Sequence, residues 1–315
     1  MPSAPSRHAP ATNATRDLPS KLAAGAVLLL DGAMGTELER RGVRTKLPLW
    51  SALSLIEQPD AVRAIHEDYA RAGADILTAN TFRTTARTLA RAGLDPAAAG
   101  DLTRRAVELA REAAAAAGRD ILVAGSIAPL EDCYSPWLSP PPDVAYEEHL
   151  AHARNLASAG ADLLMVETMP LVAEAVVAVR AALTTDLPVV ASFVLGPDGR
   201  LLSGEALQDA VEQVAPLGVA AICVNCSSPA VTTAALRCLR ALTDRPIGAY
   251  ANLGTVHPTA GWQPDERTSG ADYAAIVAKW LEIGARIVGG CCGTRPEHIA
   301  ALRSLLDQRT VEIPA

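Results

Sequence analysis

Short runs rich in aliphatic residues recur along the chain, and each is followed by a longer stretch in which apolar residues return every three or four positions. The runs fall at residues 27–30, 76–78, 121–124, 163–166, 189–193, 220–224, 247–250 and 286–288. Their length and aliphatic content predict strands, while the stretches 59–72, 97–117, 146–159, 171–182 and 271–282 predict amphipathic helices. Strands that alternate with helices pair in parallel, because each crossover helix returns the chain to the same end of the sheet. Eight such units predict an α/β fold of the (β/α)8 TIM-type barrel, one domain over residues 21–315. Gly73, Gly160 and Gly284 each stand where a helix must stop before a strand, which predicts left-handed caps.

Residues 1–20, with four prolines among Ala, Ser and Thr, predict a disordered leader without the apolar segment of a secretory signal. Two connections exceed what a return to the barrel needs, 32–58 and 126–145, and such loops wall or cover a site. The second holds Trp137 and Pro140-Pro141-Pro142, which predicts a stiff extended segment. No Gly-x-Gly-x-x-Gly separates a strand from a helix, which counts against a dinucleotide site.

Half the residues are hydrophobic and a fifth charged, enough for a large core. The net charge of −7, the lack of a basic run and an aromatic share of 3% argue against nucleic acid and anionic membrane surfaces. Charges interrupt every stretch long enough to span a bilayer, so no membrane segment is expected. Six cysteines are too few for a disulfide framework in a chain of 315, and a cytoplasmic monomer or small homo-oligomer is expected.

Barrel enzymes place their chemistry at the C-terminal ends of the strands. Here those ends carry Asp31, Asn80, Ser126, Glu167, Asn225, Cys226, Asn252, Cys291 and Cys292. Asn80 and Asn225 are candidates for substrate contact. Cys226 closes the sixth strand, and Cys291 and Cys292 close the eighth, with one strand between them around the ring. Three converging thiolates suit Zn²⁺ with a fourth position open. Two alternatives stand beside this: a vicinal disulfide or redox switch at Cys291-Cys292, and plain buried thiols, the reading adopted for Cys223 and Cys238. Cys133 reads as incidental. Gly289 and Gly290 are expected to let the backbone bend toward the ion, and Thr294 with Glu297 to form a capping box. The helix it opens would favour thiolate at Cys292. Asp31 and Glu167 suit an ammonium group, or else merely cap helices. His149 and His152 read as a solvent-facing pair, and His257 as a loop residue near substrate.

Taken in order, Asp31-Gly32-Ala33-Met34-Gly35-Thr36-Glu37-Leu38, Leu49-Trp50-Ser51, Thr78-Ala79-Asn80-Thr81-Phe82, Glu167-Thr168, Val224-Asn225-Cys226 and Gly289-Gly290-Cys291-Cys292-Gly293-Thr294 resemble the homocysteine S-methyltransferase family. The resemblance runs from about Leu28 to Leu305. It implies a zinc barrel whose metal is held by Cys226, Cys291 and Cys292, with the homocysteine sulfur in the fourth position. It further implies that the substrate ammonium meets Asp31 and Glu167, and its carboxylate the backbone amides near Ala33 and Met34. Methyl transfer from a small donor to the thiolate then needs no general base. Cobalamin-dependent methionine synthase carries further modules and betaine relatives a C-terminal extension. The end of this chain therefore favours a sulfonium donor, S-methylmethionine or S-adenosylmethionine. Betaine-type or corrinoid-linked zinc transfer and a non-catalytic zinc or redox sensor are the alternatives. Where many sulfonium users have Pro-Asn-Ser-Gly after the seventh strand, this chain has Ala251-Asn252-Leu253-Gly254.

Overall fold

A computed structural model describes residues 17–257, 261–265 and 267–311. Eight parallel strands form the central sheet: Leu28–Leu29 (β1), Ile76–Ala79 (β2), Leu122–Ile127 (β3), Leu163–Met169 (β4), Val189–Phe193 (β5), Ala221–Asn225 (β6), Ile247–Ala251 (β7) and Ala285–Gly290 (β10). Between β7 and β10 lies a hairpin, Gly254–His257 (β8) with Gly261–Pro264 (β9). Each barrel strand pairs with its neighbour in the chain, and β10 pairs with both β7 and β1. The bridge between Leu30 and Ile76 joins β1 to β2 and closes the ring. All eight expected strands are present, and several run further toward their C-terminal ends, β4 as far as Met169.

Alternation along the strands sorts the core into two layers. Leu28, Leu30, Ile76, Leu122, Leu163, Met165 and Val190 fill the barrel interior. Leu29, Leu77, Val123, Leu164, Val166 and Val189 face outward into the contact with the helices. Cys223 belongs to the interior, as expected for a core thiol, whereas Cys238 on the helix Pro229–Leu242 is exposed.

The helix Pro59–Ala72 matches its expected span, and Gly73 and Gly284 adopt φ of 106° as left-handed caps, with Gly160 also at positive φ. The proline triplet is extended only up to Pro141. Pro142 instead opens the helix Pro142–Ser158, where its fixed φ and missing N–H do no harm in the first turn. That helix turns His149 and His152 inward along with Ala145 and Leu156, so the expected solvent-facing pair is buried.

The folded part also begins earlier than residue 21. Asp17 accepts a hydrogen bond from the Ser20 amide at 2.8 Å and caps the helix Leu18–Ala23. Leu18 and Leu22 join the interior cluster and plug the N-terminal end of the barrel. Residues 1–16, the rest of the expected leader, lie outside the described residues. Truncating this plug, Leu18→Ala, should cost about 2–5 kcal/mol. The check is urea unfolding, with a lower midpoint at unchanged slope; an unchanged midpoint would remove the helix from the core.

Candidate metal and amino-acid site

The C-terminal strand ends surround a cavity of about 360 Å³ lined by Asp31, Asn80, Ser126, Glu167, Cys226, Cys291 and Cys292 together with residues of the two long loops. The expected convergence of polar strand ends is therefore real. Asn252 does not line the cavity, and neither does Asn225. It is buried behind the cavity, where Oδ1 accepts from the Thr168 amide (3.0 Å) and the Ser192 hydroxyl (2.7 Å) and Nδ2 donates to the Thr168 hydroxyl (2.7 Å). It fixes Thr168, which sits at φ 59°. Asn80 does line the cavity, yet both its amide atoms bond Ser51, at 2.7 and 2.9 Å.

The sulfur atoms of Cys226, Cys291 and Cys292 lie within 4.8 Å of one another. All three are free thiols rather than a vicinal disulfide. β7 holds both turns that carry them. The Cys226 amide donates to Tyr250 O (3.2 Å), Asn252 Nδ2 donates to Cys226 O (2.9 Å), and the Cys291 amide donates to Ala251 O (3.0 Å). Cys226 adopts φ 55°, a left-handed backbone that L residues rarely keep without tertiary support. As thiols alone they share protons. Hydrogen bonds from Cys291 and Cys292 pull Cys226 well below the ordinary thiol range, and the same bonds push Cys291 and Cys292 up, overriding any helix effect on Cys292. Sulfurs bound tetrahedrally at ~2.3 Å stand roughly 3.8 Å apart, so this triad fits a cation with little movement. A soft, all-sulfur donor set of this kind could hold a metal ion.

Gly289 and Gly290 serve the site differently from expectation. Neither has positive φ. They are required by crowding: a Cβ on Gly289 would lie 2.5 Å from Leu30 Cβ, and one on Gly290 2.2 Å from Thr294 Oγ1. Thr294 likewise forms no capping box. Its hydroxyl accepts from the Ala33 amide (3.2 Å) and donates to Cys291 O (2.7 Å), tying the turn after β1 to the thiol turn. The Arg295 amide is received by His298 Nδ1 (3.0 Å) instead. The Ala33 amide is thus engaged, and the next amides, from Met34 on, open the helix Gly35–Arg40, where N–H groups have no helical carbonyl partner.

Asp31 and Glu167 are buried in the same cavity. Asp31 Oδ2 accepts from the Thr78 amide (2.8 Å); burial raises its pKa to about 8, against the pull of that bond and with a smaller push from Glu167. Glu167 accepts from the Ser126 hydroxyl and from Tyr250 Oη (3.1 Å), and burial raises it to about 7 despite both bonds. His152, itself lowered to about 4 by burial, lies with Nε2 3.2 Å from Ser126 O and supports this pair from behind. Two buried carboxylates bonded only by neutral groups are an arrangement suited to a cation.

Sequence reasoning passed over four further residues. Tyr250 orients Glu167, and its inward register on β7 was the available signal. Tyr134 lies with Oη 3.7 Å from Cys226 Sγ, and Cys133 beside it, buried, lines the cavity. Arg83 lines it too. The side chain of His257 lies outside the described residues.

Fold and site together define a (β/α)8 barrel with a cluster of three thiols, able to hold a metal ion, and a carboxylate pair at its C-terminal mouth. The sequence profile of the homocysteine S-methyltransferase family matches residues 28–306, and the chain belongs to that family. The homocysteine S-methyltransferase of Escherichia coli (strain K12) is 37% identical over 303 residues, spanning 88% of this chain and 94% of the relative. Homocysteine S-methyltransferase YbgG of Bacillus subtilis (strain 168) is 32% identical over 310 residues, spanning 87% and 92%. Among solved structures, the oxidized form of the homocysteine methyltransferase MmuM from Escherichia coli superposes with a TM-score of 0.80 at 34% identity and covers 93% of this chain and 99% of its own. Its metallated form gives 0.79 at 35%, covering 91% and 99%. Among the described residues no helix is long and apolar enough to cross a membrane.

Replacing Cys226 by Ser should lower the bound metal from about one per chain to below roughly a tenth, since two thiols seldom retain such an ion. Elemental analysis after gel filtration reads this, with circular dichroism to show an unchanged fold; full retention would remove Cys226 from the ligand set.

Proposed function

We propose that this chain is a zinc-dependent enzyme that moves a methyl group from a small sulfonium donor, S-methylmethionine or S-adenosylmethionine, to homocysteine and yields methionine. The observation that carries the reading is the placement of three thiols within 4.8 Å of one another in the same cavity as two buried carboxylates. That cavity offers one place for a sulfur and another for an ammonium group, the two ends of a thiol amino acid.

Zinc held by Cys226, Cys291 and Cys292 would supply a Lewis acid that favours thiolate over thiol at neutral pH. Asp31 and Glu167 bind the ammonium, and its charge stabilises their ionised forms against burial. Ser126 and Tyr250 hold the Glu167 carboxylate in orientation. The amides from Met34 onward face the carboxylate. In the transfer the acceptor sulfur attacks the methyl carbon, a new S–CH3 bond forms, and the donor S–CH3 bond breaks to leave a neutral thioether. The protein's part is alignment, which is the larger share of the rate in a displacement of this kind. A cavity of about 360 Å³ is at the small end of ligand pockets, which favours the smaller of the two donors. The six cysteines are free, as a reducing compartment leaves them, in keeping with a cytoplasmic enzyme.

The decisive assay is methionine formation by zinc-loaded protein from homocysteine with S-methylmethionine, S-adenosylmethionine or betaine, with Cys292→Ala as control. Turnover with a sulfonium donor, reduced at least about 100-fold in the variant, is expected; no methionine from any donor at one zinc per chain overturns the reading.

The carboxylates also predict a pH dependence. Asp31 titrates near 8 and Glu167 near 7 in the free site, and each must be ionised to receive an ammonium group. Falling pH therefore weakens binding. Methionine, which has no thiol to titrate, should show a Kd that rises toward about tenfold per pH unit below 8 and about 100-fold per unit below 7. Asp31→Asn should leave a single step beginning near pH 7. A flat calorimetric profile from pH 6 to 9 would separate these carboxylates from the amino group.

A further inference from the structure

Arg83 is the cation in a cavity whose other charged lining residues, Asp31, Glu39, Asp132 and Glu167, are acidic. It follows β2, half-buried, with Cζ 5.1 Å from the centroid of the Phe82 ring. Nη1 donates to two backbone carbonyls of the third loop, Pro129 O at 3.3 Å and Glu131 O at 2.9 Å. Neither Nη2 nor Nε bonds any of the described residues, and among these no carboxylate lies within 4.0 Å of the guanidinium.

The nearest acids are already engaged. The Glu131 carboxylate, 4% exposed, accepts from Arg87 Nη1 (2.8 Å) and from both terminal nitrogens of Arg91. Asp132 accepts from the Tyr134 amide (3.2 Å) and the Ser135 hydroxyl (2.7 Å) within its own turn. Burial pushes the Arg83 guanidinium down from its ordinary value, against a smaller opposing pull from Cys133, Asp132 and Glu131, none of whose side chains bonds it. An arginine that lines a cavity, is held to the protein by one nitrogen and has no acid bonded to its other donors has the form of an anion receptor. Its planar fork matches a carboxylate.

We propose that Arg83 receives a carboxylate on the methyl donor, so that the enzyme selects onium donors that carry a carboxylate at their far end. This rests on the methyl-transfer reading above and adds the donor class to it. The acceptor amino acid is accounted for elsewhere, its ammonium by Asp31 and Glu167 and its carboxylate by amides after Ala33. The donor, itself cationic at the transferable methyl, has no reason to approach Arg83 except through an anionic group. With its carboxylate on the guanidinium, the onium end is left free to turn toward the thiols. Sulfonium and quaternary ammonium donors share this chemistry, and the test separates them.

The test compares donors that differ only in carboxylate against carboxamide: S-methylmethionine with its amide, and glycine betaine with its amide. Both kcat/KM and calorimetric Kd are measured in the wild type, Arg83→Met and Arg83→Lys, with the melting temperature recorded for each. Charged hydrogen bonds of this kind are worth about 10- to 100-fold, so the wild type should prefer the carboxylate partner of the productive pair by that factor. In Arg83→Met the ratio should fall to within about threefold of unity, and in Arg83→Lys part of it should return. The KM for homocysteine should stay with the wild type. Whichever pair shows the preference identifies the onium. A ratio that persists in Arg83→Met, in rate or in binding, overturns the proposal and leaves Arg83 as a brace for the third loop. Absence of turnover with every donor would instead refute the methyl-transfer reading, and the binding ratio would still decide the role of Arg83.

Discussion

Two turns that are not neighbours must present three sulfur atoms to one point, and β7 stands between the strands that carry them. The structure meets this constraint by making β7 the common support. Its Tyr250 and Ala251 carbonyls receive the amides of Cys226 and Cys291, and Asn252 beyond it holds the Cys226 carbonyl. The left-handed backbone at Cys226, the close approach of Gly289 to Leu30 and the full closure of the ring follow from the same demand. A sheet opened at the Leu30–Ile76 bridge would free β1 from β2 and leave the turns after those two strands without a fixed relation. Barrel closure is therefore part of the site, as much as the thiols are.

Charge is managed by a second device. The carboxylates are buried among groups that orient them without neutralising them, while other arginines, Arg83 excepted, are drawn off by other acids. Arg87 and Arg91 converge on Glu131, and Arg40 and Arg41 on Glu37. Asp31 and Glu167 are left with burial uncompensated, which is a cost to the empty protein and an affinity for a cation. Neighbouring ion pairs thus matter less for the modest stability they contribute than for keeping cationic side chains away from the acidic pair.

Much of this was legible in the sequence, for identifiable reasons. Strands announced themselves because a barrel buries both faces and so demands aliphatic runs. The three cysteines, Asp31 and Glu167 stood out because they interrupt such runs at their ends. What stayed hidden depends on neighbours distant in the chain. Thr294 looked like a helix cap because Thr three residues before Glu is a local signal, whereas its partners Ala33 and Cys291 are set by tertiary packing. Polarity alone places His149 and His152 on a solvent face, but the helix begins at Pro142 and turns that face inward. Asn225 ended a strand but points behind the cavity. Arg83, Arg87 and Arg91 share a helical spacing that suggests one solvated stripe, and only the position of Glu131 shows that two of them are paired and one is not. The six-residue plug Leu18–Ala23 was too short to show a period at all.

The crowding around the Thr294 hydroxyl bears on how such a centre is copied. Cβ atoms on Gly32 and Gly290 would lie 2.8 and 2.2 Å from that one oxygen, and Tyr69 closes over the first of them. A methyl group on either glycine would push apart the turn that offers amides and the turn that offers sulfurs. Grafting three cysteines onto the rim of another barrel would therefore carry over the ligands without the hinge pin that sets their distance from the rest of the pocket. The smallest portable unit is a threonine seated between two bare backbones, with the thiols as its dependants.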